Sequence, residues 1–211
     1  LVMSDTYRQA SLHPRKDEYA LRVGGNRLWW RAERRRLDAE ALRDALLATS
    51  GQIDLRAGGP SFRPSISDEA LEGLSMKGGA WQASPPEEQK RRSIYMFSKR
   101  SLLSPLMTVF DFCDTTQPCA RRDVTTVAPQ ALALLNNSFV HQASTTLAAR
   151  VVAAAGADRA AQVEQAWRFA VARSPRDGQV ARFAALSNPQ QAALESLCHV
   201  LLSFNEFIYV D

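Results

Sequence analysis

The stretch LDAEALRDALLATS at residues 37–50, closed by Gly51, carries the clearest structural statement in this 211-residue chain. Leu37, Ala41, Leu42, Ala45 and Leu46 recur at helical spacing, while Asp38, Glu40, Arg43 and Asp44 take the other faces. The pattern predicts a helix that buries one side against a core. Gly51 is placed to end it, because glycine adopts the left-handed conformation that satisfies the last carbonyls of a helix.

A helical array follows downstream. Helices are predicted over residues 129–135, 138–154, 158–172, 176–185 and 189–202, with Pro129 where a first helical turn tolerates proline. Alanine is dense through this half, which favours helix propensity and close helix packing. Residues 102–110 read as a short buried helix and 111–126 as a polar connection. Between these parts the composition changes: Gly58-Gly59-Pro60, Pro64, Gly78-Gly79 and Pro85-Pro86 interrupt any periodic pattern, so residues 51–86 form a long loop or insertion. Ile53-Asp54-Leu55 and the run at 93–97 are β-prone and are expected to pair beside that loop. No fixed-period repeat is present. The fold class expected is mainly α: an irregular multi-helix domain with a long Gly/Pro-rich loop and at most a minor two-stranded β element. Residues 1–211 are read as one domain, with sub-parts at 1–127 and 128–211. Residues 1–7 read as the end of a helix, so the domain is expected to be the C-terminal piece of a larger protein, with any export signal upstream.

Composition bounds the function classes. At 45% hydrophobic and 23% charged residues the chain lies near the globular average, far from compositions that remain disordered. A formal charge of +4, from 26 basic against 22 acidic residues, is too small to imply nucleic acid without a clustered face. No run approaches the roughly 20 apolar residues that cross a bilayer, and the first residues lack the pattern of a signal peptide. The three cysteines, Cys113, Cys119 and Cys198, are too few for a disulfide scaffold and lack zinc-site pairing. Cys113 and Cys119 either close a short bridge in an oxidising compartment or stay free, and free thiols are the expectation. Without C-x-x-C-H there is no covalent haem site, and neither a cofactor nor a metal is expected in this domain.

Two basic clusters stand out. Arg27, Arg31, Arg34, Arg35 and Arg36 interleave with Leu28, Trp29 and Trp30. On a nucleic-acid protein these would be phosphate contacts beside stacking platforms. The favoured alternative is structural: arginine stems packed over apolar surface, with at least one tryptophan in the core. The second cluster, RRSIYMFSKR at residues 91–100, brackets an apolar run with cations. It either docks an acidic glycan or a partner protein, or fixes the loop by pairing with Asp111, Asp114 or Asp123, and loop fixing is favoured. Those aspartates, with Cys113 and Cys119 among them, are the one concentrated set of acid-base groups. Turn and cap roles are expected for them, since spacing alone defines no catalytic separation. His13, His141 and His199 are scattered, and serine-nucleophile, phosphate-loop and dinucleotide signatures are absent.

Several stretches agree in order with one family: TYRQAS at 6–11, NRLWWR at 26–31, RRRLDAEALRD at 34–44, Gly58-Gly59-Pro60, RRSIY at 91–95, Lys99-Arg100, Phe110-Asp111, RRDVTTVAPQAL at 121–132, and SFNEFIYVD at 203–211. In these, nearly end to end, the chain resembles the PSD-type C-terminal domain of unknown function of large planctomycete and verrucomicrobial proteins, which also carry a cytochrome-c-like domain. The resemblance implies an extracytoplasmic parent with haem c in another domain, and it brings no catalytic residue. One departure is Ala172, where relatives often show glycine, which leaves a helix end less sharply specified.

Two functions follow as expectations. The first is a non-catalytic packing or interaction domain for neighbouring domains of the same chain, in which Arg34, Arg35, Arg122 and Gln130 bond backbone carbonyls and acidic residues instead of lining a cleft. The second is binding or processing of acidic or sulfated polysaccharide through Arg92, Lys99, Arg100, Arg121 and Arg122, with Asp111 or Asp123 as acid or base. Nucleic-acid binding ranks last and asks for Trp29 or Trp30 exposed beside arginines.

Overall fold

In the computed structural model, which describes residues 1–66, 71, 81–100, 102–176, 178–184 and 190–210, the predicted helical pattern dominates. The elements in order are α1 (Lys16–Arg22), β1 (Arg35–Arg36), α2 (Ala39–Ser50), α3 (Pro105–Val109), α4 (Ala128–Asn136), α5 (Ser138–Ala155), α6 (Arg159–Val171), α7 (Gln179–Ala184), α8 (Gln190–Leu202), α9 (Asn205–Ile208) and β2 (Tyr209–Val210). The fold is mainly α. Gly78-Gly79 and most of the predicted loop between 67 and 80, the end of the predicted fourth downstream helix at 185, and the start of the fifth at 189 lie outside the described residues.

The core is built by α5, α6 and α8, which pack on one another, with α2 laid against α5. Leu147, Ala148 and Val151 of α5 are fully enclosed, as are Leu201, Leu202 and Cys198 of α8 and Leu42 and Leu46 of α2. Alanines at 143, 148, 166 and 170 are buried among them, which lets the helix axes approach closely. Trp167 of α6 fills the centre at 0% exposure. Its ring meets Phe183 of α7 edge-on at 5.3 Å between centroids and Phe204 at 6.3 Å. Burial pushes the Cys198 thiol up to about 12, with the charge of Glu195 adding to the effect, so this thiol is chemically quiet.

α2 ends as its sequence requires. Gly51 is left-handed at φ 78°, and its N–H reaches Ala48 O. Arg150 of α5 then completes the cap, donating through Nη1 to Ala48 O at 3.2 Å and Thr49 O at 2.6 Å. A cation here also opposes the negative end of the helix dipole. The guanidinium rests 4.0 Å from the Phe169 ring centroid, which couples α2 to α6 through α5.

The β element is not the one predicted. β1 pairs antiparallel with β2, Arg35 opposite Val210 and Arg36 opposite Tyr209, so the last residues fasten the lead-in to α2. Residues 53–55 and 93–97 do not pair with each other as strands; the bridges of this region join Asp54 with Arg91 and Phe62 with Met96. Ser93–Tyr95 is instead a 3-10 turn. The physical reason is local competition by side chains: Asp44 Oδ1 accepts both the Ser93 N–H and its hydroxyl at 2.7 Å, which removes a ladder donor from the run.

α6 ends at Ala172, held left-handed at φ 54°, ψ 24°. A non-glycine residue pays about 1–2 kcal/mol there, partly offset by the greater freedom of glycine in the unfolded chain. Ala172→Gly is expected to stabilise the protein by about 0.5–1 kcal/mol. Urea unfolding checks it, and a midpoint at or below that of the parent would refute the strain.

Candidate functional site

Four arginines that flank the helical core turn inward, and each holds an irregular segment. Arg36 leaves β1 with its side chain 2% exposed and donates to Asp111 Oδ2 at 2.8 Å. It also donates to Thr125 O at 2.7 Å and Phe110 O at 3.2 Å. Asp111 stands at a left-handed φ of 59°, which aspartate tolerates better than most residues, and accepts Thr125 N at 2.8 Å. Gln130 of α4 locks the same junction, donating to Val109 O at 3.1 Å and Thr125 O at 3.2 Å. Burial by itself would raise the Asp111 carboxyl. The Thr125 N–H, the Arg36 guanidinium and the Thr125 hydroxyl together hold it below the ordinary carboxylate range.

Arg43, on α2, is buried and serves the segment near residue 90. Its Nη1 donates to Arg91 O at 3.0 Å and Ser93 Oγ at 3.1 Å, and its Nη2 donates to Gln89 O. Burial pushes its guanidinium down to about 10, against the opposing charge of Asp44. Arg91, also buried, donates to Pro60 O at 2.6 Å and to Gly58 O. Gly58 and Gly59 are left-handed at φ 78° and 83°, and a Cβ on Gly59 would stand 3.8 Å from the Arg91 guanidinium. It is the left-handed backbone, and not the room beside Arg91, that calls for glycine at both positions. Arg122 forms a bidentate pair with Glu40 of α2 at 2.6 and 2.7 Å. Burial works to raise the Glu40 carboxyl, but the hydrogen bond from Arg122, the backbone of Glu40 and the Arg122 charge bring it below its usual value. The Glu40 hydrogen bond raises Arg122, against its burial.

Beside these clamps lies an open cleft of about 590 Å³. Its rim includes the carboxamides of Gln52, Gln89, Asn136, Asn137 and Gln142, with Phe139, Met96 and Leu106 as apolar floor. Arg43 and Lys90 are its cations, and among the described lining residues there is no carboxylate, imidazole or thiol. Such a lining hydrogen-bonds neutral polar groups and offers no acid-base pair. Among the described residues, no three His, Cys, Asp or Glu side chains gather in a metal-holding group, and no helix is long and apolar enough to cross a membrane.

Arg122 and Gln130 bond a carboxylate and backbone carbonyls as expected, and the candidate binding residues are dispersed. Arg92, Arg100, Arg121 and Asp123 are exposed and Lys99 is half-buried. None of the five candidate cations and neither candidate aspartate lines the cleft. The structure brings Asp111 to Arg36 and Arg122 to Glu40, and it does not bring Asp111 to the 91–100 cluster. Asp114 closes its own turn, accepting Thr116 N at 2.8 Å and Thr116 Oγ1 at 2.6 Å. Of the three consecutive arginines, Arg36 is the buried anchor, whereas Arg34 bonds Ser11 Oγ at 3.5 Å and Arg35 is exposed. Neither tryptophan of the first cluster is in the core. Trp29 is 67% exposed, and Trp30 meets His13 and Tyr19 with Arg31 5.3 Å from its ring. Both lie outside a helix, which removes the geometry that would have turned one of them inward. Arg43, Glu40 and Asp44 went unnoticed as anchors. The signal available was only that Arg91-Arg92-Ser93 and the 34–44 stretch recur as separate motifs, and spacing does not say that they meet.

Fold and site together define a helical domain whose long irregular connections are held to the core by buried arginines. The family model described as PSD1, protein of unknown function (DUF1553), matches residues 1–187, and the chain belongs to that family. Comparison with the curated proteins and with the solved structures finds no match.

Proposed function

We propose that this is a non-catalytic packing and interaction domain of an exported, cytochrome-c-associated multidomain protein. The observation that carries the reading is the inward commitment of its motif arginines: Arg36, Arg43, Arg91 and Arg122 bond carbonyls and carboxylates of the chain itself. Those groups hold shape and are spoken for. Outward, residues 1–32 carry Leu12, Leu21, Leu28 and Trp29 at 67% exposure or more, and no residue of α1 is buried. Exposed apolar side chains with Arg22, Arg27 and Arg31 nearby suit a neighbouring domain with an apolar, acidic face. Hydrogen–deuterium exchange on the chain alone and joined to a cytochrome-c-like domain tests this. Slower exchange over residues 12–32 in the joined protein is expected, and unchanged exchange there would overturn the assignment.

A second reading rests on Arg92, Arg100 and Arg121, whose exposed side chains make no ion pair among the described residues. With half-buried Lys99 and exposed Asp123 they would take an acidic or sulfated polysaccharide, whereas Arg122 and Asp111 are engaged by Glu40 and Arg36. Asp111, held below the usual carboxylate range, suits a base or an ion-pair partner better than a proton donor. A panel of neutral, carboxylated and sulfated polysaccharides at two salt concentrations decides between the readings. Binding that is salt-sensitive and lost in Arg121→Ala favours this one, and no binding favours the first. A single-stranded oligonucleotide in the same panel tests what exposed Trp29 would offer to nucleic acid.

A further inference from the structure

The polar groups around the open cleft divide into those already engaged by the chain and those left over. Its two cations are satisfied from within. Arg43, its side chain 7% exposed, bonds Arg91 O, Ser93 Oγ and Gln89 O, and Lys90 Nζ stands 3.0 and 3.1 Å from the Glu87 carboxylate oxygens. Gln89 is engaged too: its Oε1 accepts Ser65 N at 2.8 Å and Ser65 Oγ at 2.9 Å, and its Nε2 donates to Ser84 O at 2.6 Å. The corner between α4 and α5 differs. Asn136 donates through Nδ2 to Leu132 O at 3.0 Å, which leaves Oδ1 an acceptor without a partner among the described residues. Asn137 caps α5 by accepting Phe139 N on Oδ1 at 2.9 Å, which leaves the N–H bonds of Nδ2 unused among the same residues. One turn into α5, the exposed Gln142 side chain makes no hydrogen bond among them. An open acceptor, an open amide donor and a complete carboxamide thus line one cleft of about 590 Å³, with half-buried Phe139 and Met96 as apolar surface beside them.

We propose that this cleft binds a short uncharged oligosaccharide. A hydroxyl carries a donor and two acceptor lone pairs on one atom. Neighbouring hydroxyls of a sugar ring therefore satisfy an acceptor and a donor held on adjacent residues, Asn136 Oδ1 and Asn137 Nδ2, while Gln142 both donates and accepts. A peptide main chain presents its donors and acceptors in a fixed alternation along an extended line, and a single corner between two helices supplies no matching row. A carboxylate or sulfate ligand must be dehydrated on entry. With Arg43 and Lys90 engaged by the chain, no open cation among the described lining residues repays that cost. Phe139 and Met96 offer apolar surface to the C–H face of a sugar, and the volume falls within the range of about 300–1,000 Å³ usual for small-molecule sites. The cleft is separate from Arg92, Arg100 and Arg121, none of which lines it, so the inference stands whether or not that surface takes an acidic chain.

Amide NMR of the isotope-labelled chain tests this by titration with cellotetraose, maltotetraose and mannotetraose at low and high salt. Tetragalacturonate serves as the charged control and a capped alanine-serine peptide as the main-chain control. At least one neutral tetrasaccharide is expected to bind saturably, in the millimolar range or tighter and without salt dependence. It should move the side-chain amide signals of Asn137 and Gln142 and the backbone signals of residues 136–142. Gln142→Ala removes an exposed carboxamide, and Asn137→Ser keeps an oxygen cap for α5 while removing Nδ2. Each is expected to weaken binding about three- to tenfold, the loss that one hydrogen bond represents, and Gln142→Ala should leave Tm unchanged. Silence with all three neutral tetrasaccharides, tighter binding of the peptide or of tetragalacturonate in the cleft, or full affinity in both variants would each overturn the assignment. Shifts confined to Arg92, Arg100 and Arg121 would overturn it as well and favour the acidic-polysaccharide reading.

Discussion

Trp167→Ala is expected to cost about 3–5 kcal/mol, the usual penalty for removing a large aromatic side chain from a core that refills only in part. The residue is enclosed where α6, α7 and the turn into α9 converge, and its ring is the surface that Phe183 and Phe204 pack against edge-on. Removal strips both rings of their partner and leaves Val163 and Ala170, also buried, too small to close the gap. Trp167→Phe is expected to lose less. It keeps most of the ring contact and removes the indole N–H, which is buried without a hydrogen-bond partner and so carries an unreturned desolvation cost. Thermal unfolding checks both: at about 2–4 °C per kcal/mol for a chain of this size, the alanine variant should melt about 10 °C or more below the parent. Equal melting of parent and alanine variant would mean that the aromatic cluster is not the keystone of this core.

Arg36→Met comes close behind, with an expected loss of about 3 kcal/mol, because it breaks a buried pair from one side and leaves a carboxylate without its cation. Methionine keeps the packing of the stem, so the loss reports on the guanidinium. The bonds to Thr125 O and Phe110 O disappear with it. Asp111→Asn in the same background should recover part of the loss, since asparagine tolerates the left-handed backbone and leaves no unpaired charge. The pair also predicts an acid limb. Asp111 and Glu40 both have folded pKa values below their ordinary ones of 3.8 and 4.5. Their contribution is therefore complete above about pH 5 and is lost as pH falls through the folded values. Asp111→Asn should flatten that limb in urea titrations between about pH 5 and 2. An unchanged limb would show that other carboxylates set it.

Much of the helical part was legible because its signals are local. Residues 138–154 and 158–172 read as helices and are helices in α5 and α6, and Pro129 opens α4 as proline does in a first turn. Gly51 was legible too, since a left-handed C-cap is a one-residue requirement. The pattern failed within α2 at two positions. Ala41, placed on the apolar face, is exposed, and Arg43, placed on a polar face, is buried. Periodicity assigns arginine to water, but a niche of carbonyls at Gln89 and Arg91 receives this one. The aspartates behaved as turn formers where the partner is adjacent, as at Asp114, and unpredictably where the partner is far along the chain.

The sequence by itself therefore determined what depends on neighbours within a few residues: the long helices of the core, the Gly51 stop, the break of pattern across 51–86, and the family, but neither the short α1 and α9 nor the turns that stand at residues 1–7 in place of a helix end. Only the tertiary structure decided which of many arginines are anchors, that Arg36 and not Arg34 or Arg35 meets Asp111, and that Arg35–Arg36 pairs with Tyr209–Val210. The reason is physical. Helix propensity and capping are settled by bonds between residues three or four apart, which spacing displays directly. A guanidinium finds its carbonyls across 48 or 89 positions, and that choice is made by the packing of the core.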